Sequence, residues 1–259
     1  MITPFDRAIT AIALARYHNH RLEAHSDTVS TQLFQDLVEI CEPLREDLNS
    51  GEVRMWLNVS APGDRLRRVD LFVGEPDADG RPSIDRVRIA VENKSVITAH
   101  RNRTNRYDDL RKVLSAIHSA RPEALLVATV LIGLCEQVLN VPDKVRAFYR
   151  GREAEFERDV LPRLSSGDGT LWTEFGWAVS RNRPHDPEGT VELMRQLPTR
   201  SPGHTHVEGY DAVLLVPVEI DNVNPPALPR PNRLGIDVDG EYQRTLEKLC
   251  AAYTARWHM

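Results

Sequence analysis

The order of elements in this sequence predicts an α/β fold with mixed strand directions. Three observations carry that expectation: helical periodicity before residue 45, alternating strand patterns between residues 53 and 97, and a continuous apolar run at 123–134.

Residues 4 to 24 place Phe5, Ile9, Ile12 and Tyr17 at helical spacing, which predicts a first helix packed on the core. A second is expected from "SDTVST" onward, with Ser26, Asp27 and Ser30 as candidate N-caps, running through "QLFQDLVEICEPLREDL" with a core stripe of Leu33, Leu37, Ile40 and Leu44. After "NSG" the period changes. "EVRMWLNVS" alternates as a half-buried strand, and "LRRVDLFVG" (66–74) and "DRVRIAVENKSVI" (85–97) follow as two more. The turn-rich "EPDADGRPS" between the last two makes them an antiparallel hairpin. A helix is expected from about Thr98 to His118, then "EALLVATVLIGL" as a central strand covered on both faces, then helix again in "DKVRAFYRGREAEFERDVLPRL". From about Ser165 the signal weakens. "LWTEFGWAVS" and "YDAVLLVPVEI" read as strands, and "GEYQRTLEKLCAAYTARWH" as a terminal helix. The expected organisation is residues 1–164 as helices and core, and 165–259 as a C-terminal extension packed on the same core.

Composition excludes several classes. With 41% hydrophobic and 27% charged residues the chain is too apolar for a disordered protein. No stretch approaches the roughly 18 apolar residues of a membrane span, and "MITPFDRAIT" lacks a basic segment before an apolar one, so the cytoplasm is the expected compartment and no membrane partner is expected. Cys41, Cys135 and Cys250 are widely spaced in apolar segments and read as buried thiols. The net charge of −5 argues against a bulk nucleic-acid binder while leaving room for a local basic groove. The pairs His18/His20 and His204/His206 lack a third ligand at a recognisable spacing, and "DADG" is too short for a calcium loop.

The chemistry lies in "RIAVENKSVI". Alternation puts Val87, Ile89 and Val91 on one face and Ala90, Glu92 and Lys94 on the other, so an acid and an amine are neighbours inside an apolar strand. Asp70 interrupts the preceding strand in the same way. If the hairpin register sets it opposite Glu92, two carboxylates and one ammonium converge. Such a set can hold a hard cation such as Mg²⁺ and place an amine beside the attacking water or the phosphate.

Asp70 followed by Glu92-Asn93-Lys94 on the next strand resembles the PD-(D/E)xK motif of the restriction-endonuclease-like nucleases, with Val69 in place of the motif's Pro. The resemblance covers roughly residues 26 to 135. It implies a restriction-endonuclease-like core, a mixed sheet flanked by helices, with Mg²⁺ (Mn²⁺ substituting) held by Asp70 and Glu92, and Lys94 acting on water. Many relatives carry an acid on the preceding helix, where this chain offers Gln32, with Asp36 and Glu39 further on; Gln32 and Glu39 are the candidate auxiliary residues. In the resembling fold the following helix lies beside the scissile phosphate, which makes Arg101, Arg103, Asn105 and Arg106 candidate DNA contacts, extended by Arg65, Arg67 and Arg68.

With four Lys and 38 acidic residues, an acid-x-Lys triplet is expected by chance about 0.6 times, so context carries the signal. This one lies in an apolar strand, follows a strand with its own isolated Asp, and uses Lys in a chain whose other basic residues are almost all Arg. The plain alternative is a structural salt bridge at a strand end. The function implied is a Mg²⁺-dependent endonuclease acting on DNA, in restriction or phage defence, with a homodimer or a protein partner compatible. The rival from another class is an inactive nucleic-acid-binding or assembly subunit of a defence or repair complex.

Overall fold

The computed structural model describes residues 2–15, 23–60, 68–97, 100–140, 143–160, 162–163, 178–205 and 207–258. Within these, helix α1 (Pro4–Ala15) leads to α2 (Glu23–Ile40) and α3 (Glu42–Ser50). The single long helix expected from residue 26 to 48 is therefore two. Pro43 sits at the first turn of α3, with Cys41 in extended conformation as its N-cap, because proline has no N–H to give to an uninterrupted helix and fits only at a helix start. Helix α2 also begins before Ser26, so Ser26, Asp27 and Ser30 lie inside it rather than capping it. Gly51 closes α3 with a left-handed φ of 79°.

Strands β1 (Arg54–Ser60), β2 (Arg68–Gly74) and β3 (Val87–Val96) form an antiparallel meander. Helix α4 (Arg103–Ala120) returns the chain to β4 (Leu125–Gly133), parallel to β3. A two-stranded ribbon, β5 (Gln137–Asn140) with β6 (Ala178–Arg181), lies beyond it. Helices α5 (Asp143–Tyr149) and α6 (Glu153–Asp159) fall between, split at Gly151, which has a φ of 76°. Helix α7 (Asp186–Met194) precedes β7 (Ala212–Val218), which pairs parallel to β4, and α8 (Val238–Trp257) follows. The main sheet runs β1-β2-β3-β4-β7. This is an α/β fold with a mixed five-stranded sheet flanked by helices.

Two apolar layers hold it. On one face Leu71, Ile89, Val91, Val127 and Leu214 pack against Leu33 and Leu37 of α2 and Leu246, Leu249 and Tyr253 of α8. On the other, Phe72, Ala90, Leu126, Ala128 and Val130 meet Leu110, Leu114 and Ile117 of α4 and Val191 and Met194 of α7. Burying a side chain of this size fully contributes about 1.5–3 kcal/mol. Central β4 is covered on both faces, as its unbroken apolar run requires. Val87 lies on the α4 side while Ile89 and Val91 face α2. The expected alternation fails there because the β2–β3 register shifts between Val73 and Gly74. Of the three thiols only Cys41 is buried; Cys135 and Cys250 are half-buried.

Among the described residues no helix is long and apolar enough to cross a membrane.

Candidate active site

The paired register of the hairpin ends at Leu71–Val91; just beyond it the Asp70 N–H donates to the Glu92 carboxylate and the two charges interact, which places Asp70 beside Glu92. β2 and β1 pair through Leu57–Leu71 and Val59–Val69, with Asn58 between them at a φ of 55°. The strands are thus irregular where Asp70 sits.

Glu92 is 2% exposed and lies toward the α4 layer, with its Oε1 paired to the Lys94 ammonium. Its other oxygen, Oε2, is buried without a hydrogen-bond partner among the described residues. An orphaned carboxylate oxygen is costly unless it is protonated or meets a cation. Burial pushes Glu92 up to about 7, opposed by the Lys94 charge and reinforced by the Asp70 carboxylate. Asp70 is itself raised, chiefly by burial, against the stabilising Asn93 N–H and Lys94 charge.

Asn93, between them, turns to the opposite face. Its N–H donates to Asp70 Oδ2 at 2.6 Å, and its side-chain amide donates to Ser26 Oγ at 2.8 Å and Ser30 Oγ at 2.7 Å. Its carbonyl oxygen accepts from the Thr129 hydroxyl. This one side chain joins β3, β4 and α2 behind the carboxylates.

Helix α2 supplies neighbours that the sequence reading did not select for the site. Ser26 hydrogen-bonds Asp70, and the charge of Asp27 raises Asp70 further. Asp27 accepts from Asn58 Nδ2 at 2.9 Å. Gln32 points elsewhere: it donates to Asp36, whose other oxygen accepts the Tyr242 hydroxyl at 2.7 Å. Glu39 is exposed at the far end of the helix. Asp27 was legible as an acid on this helix, but its place beside a run of capping residues read as a helix start.

A 3-10 turn, His100–Asn102, precedes α4. Arg101 and Asn105 are exposed, whereas Arg103 pairs with Asp186 of α7 at 3.3 Å and Arg106 with Asp109 at 3.5 Å. Arg68 is exposed, and Arg65 and Arg67 lie outside the described residues. His100 is fully buried: its Nε2 meets Gly133 O at 2.9 Å and its Nδ1 meets Thr190 Oγ1 at 2.7 Å. A carbonyl only accepts, so Nε2 carries the proton, and burial lowers the ring's pKa. This contact ties the start of α4 to β4 and α7. Gly133 also lets the Ile97 backbone pass close to β4, since a Cβ there would lie 2.8 Å from it.

The donor chemistry suits a hard cation: two carboxylates, one with a buried oxygen lacking a partner. Among the described residues no group of three or more His, Cys, Asp or Glu converges, so protein ligands beyond the Asp70–Glu92 pair would have to be main-chain or amide oxygens, or water. His204 is exposed, and its companion His206, like His18 and His20, falls outside the described residues.

No family model, curated protein or solved structure matches this chain.

Proposed function

We propose that this chain is a metal-dependent nuclease of the PD-(D/E)xK type that hydrolyses phosphodiester bonds of DNA, in restriction or phage defence. The observation that carries the reading is the Asp70–Glu92–Lys94 set on adjacent antiparallel strands, with Glu92 Oε2 buried and lacking a partner. Strand order supports it: an antiparallel hairpin, a helix and a parallel strand in succession suit a restriction-endonuclease-like core.

Asp70 and Glu92 would hold Mg²⁺, or Mn²⁺ in its place, and the bound ion supplies Lewis acidity at a phosphoryl oxygen and acidity to a ligated water. The residues themselves perform the rest. Glu92 would lose its proton to solvent on taking up the ion, and its pairing with Lys94 keeps the ammonium at the site, where it can hold the attacking water or meet phosphate charge. Asn93 fixes the Asp70 carboxylate through its N–H. Arg101 and Asn105, exposed beside the start of α4, can donate to phosphate oxygens; Arg103 and Arg106 would first have to leave Asp186 and Asp109. Restriction-type cutting of both strands usually uses two such centres, which a homodimer would provide.

The test is cleavage of supercoiled plasmid and labelled linear duplex with Mg²⁺ or Mn²⁺, comparing wild type with Asp70→Ala and Lys94→Ala. Metal-dependent cutting lost in both variants is expected. A folded wild type that neither cuts nor gains thermal stability from metal would sink the reading and favour the binding or assembly module.

A further inference from the structure

Among the described residues strand β7 ends the main sheet, its ladder pairing only with β4, and its sequence AVLLVPV carries no charge. A free, uncharged, apolar edge invites another strand, and proteins normally shorten, charge or cover it. Here the described residues cover the edge at its two ends and leave the middle open. Before β7, Tyr210 donates its N–H to Pro198 O at 2.7 Å and accepts from Arg200 N–H at 2.9 Å. After it, Glu219 and Ala227 exchange main-chain bonds of 2.8 and 2.9 Å. Between them lies a cleft of about 380 Å³, walled by the end of α7 and by α8, with Val213 and Leu215 half-buried in its floor.

The alternation of the ladder gives this cleft hydrogen-bonding capacity. Tyr210 directs its main-chain groups outward to residues 198–200, while Asp211 directs its N–H inward to Leu126 O at 2.8 Å. By that parity Ala212 and Leu214 turn their N–H and C=O groups away from β4 and into the cleft. The short pairing begun by residues 198–200 could be continued there by a strand from elsewhere.

Charge selects the occupant. Arg195 and Arg244 line the cleft as exposed side chains, and Lys248 donates to the carbonyls of Arg200 and Asp211, leaving one of its three N–H groups. Of the two acids in the lining, Asp211 is fully buried between Arg200 at 3.1 Å and Arg256 at 2.7 Å, and Glu241 pairs at 3.1 Å with Arg244, which also has Asp237 at 3.9 Å. The remainder is positive. Pairing of two copies about a two-fold axis would bring like charges together, which is destabilising.

We propose that this cleft docks an extended, acidic segment of a partner protein, which adds to the open edge of β7 as a further strand. Val213 and Leu215 receive its apolar side chains, and Arg195 and Lys248 meet its carboxylates, joined by Arg244 once it exchanges Glu241 and Asp237 for them. The inference is independent of the nuclease reading.

The test uses a fluorescent heptapeptide alternating valine with glutamate, and its counterpart with lysine for glutamate, each titrated by anisotropy against the full chain. Expected are binding of the glutamate peptide, none of the lysine peptide, and a roughly tenfold or greater loss in the Arg195→Glu/Arg244→Glu double variant. Hydrogen exchange at Ala212 and Leu214 should slow in the complex. Absence of glutamate-peptide binding by the folded chain, equal binding of both peptides, or binding with no added protection at Ala212 and Leu214 would overturn it. A concentration-dependent dimer in light scattering, lost in the double variant, would assign the edge to a second copy and overturn the choice of partner.

Discussion

The N–H of Asn93 donates to the Asp70 carboxylate at 2.6 Å, across the junction of β2 and β3. Asn93 separates Glu92 from Lys94, so the residue between two candidate catalytic groups also fixes the third. Its side chain, bonded to Ser26, Ser30 and Thr129, holds that stretch of β3 against α2 and β4.

Asn93→Ala should therefore act on two levels. The Ser26 and Ser30 hydroxyls lose their donor and Thr129 its acceptor, which costs about 1–3 kcal/mol in urea unfolding. Metal-dependent cutting should fall even where the variant is fully folded, because the Asp70–Glu92 geometry loosens. Unchanged stability and unchanged cutting would remove Asn93 from both roles.

Glu92 gives a pH signature. Its folded pKa of about 7 lies above the unfolded value of 4.5, so the folded state binds the proton more tightly. Its contribution to stability is present at low pH and is lost as pH rises from 4.5 through 7, by roughly 3 kcal/mol at most. Glu92→Gln should abolish this loss in denaturant titrations across that range. A divalent ion competes with the same proton, so the gain in Tm from Mg²⁺ in wild type should be larger at pH 8 than at pH 5.5 and absent in the variant. A Tm gain that does not change with pH would contradict this.

His100 acts in the opposite sense. Its folded pKa is lowered below 6.5, so unfolding takes up a proton as pH falls and stability drains away below 6.5. His118, lowered chiefly by burial as well, adds to the same slope. In His100→Asn the fall in stability between pH 7 and pH 5 should be shallower than in wild type. An equal slope would show that the ring is not held neutral in the fold.

Away from the site, Arg88 is 4% exposed and pairs with Asp47 at 2.7 Å and Glu75 at 2.9 Å, and also with Glu52. The Tyr253 hydroxyl donates to Asp47 at 2.6 Å, tying α8 to the same cluster. Arg88→Leu should cost about 3–5 kcal/mol, since it leaves Asp47 buried with its main cation gone. Denaturant midpoints measure it, and a change near zero would mean that water replaces the pair.

The central strands and the hairpin were legible because each carries a period or an apolar run that only one environment satisfies, and the isolated acids Asp70 and Glu92 stood out against them. What stayed hidden had weaker local signals. Helix α7 opens with "DPEG" and buries only Pro187, Thr190, Val191 and Met194, too few to show an apolar stripe. The four-residue strand β5 is too short for alternation to register. The nearness of Asp27 to Asp70 is set by how α2 packs on the sheet, and local spacing contains no trace of that. The shifted side of Val87 arises from the irregular register opposite Val73 and Gly74, which alternation alone cannot foresee.

The order of strands also governs how the chain reaches this state. β4 ends at Gly133, yet its second sheet partner begins only at Ala212, and α8, which covers one face, comes later still. During synthesis the hairpin and β4 can form while one edge of β4 and much of the apolar face meant for α8 stay bare. Such an intermediate, with an open strand edge and exposed core, is the form most prone to aggregate or to need a chaperone. Pulse proteolysis of chains stalled at increasing lengths should show the hairpin and β4 gaining protection late, only once β7 and then α8 have emerged.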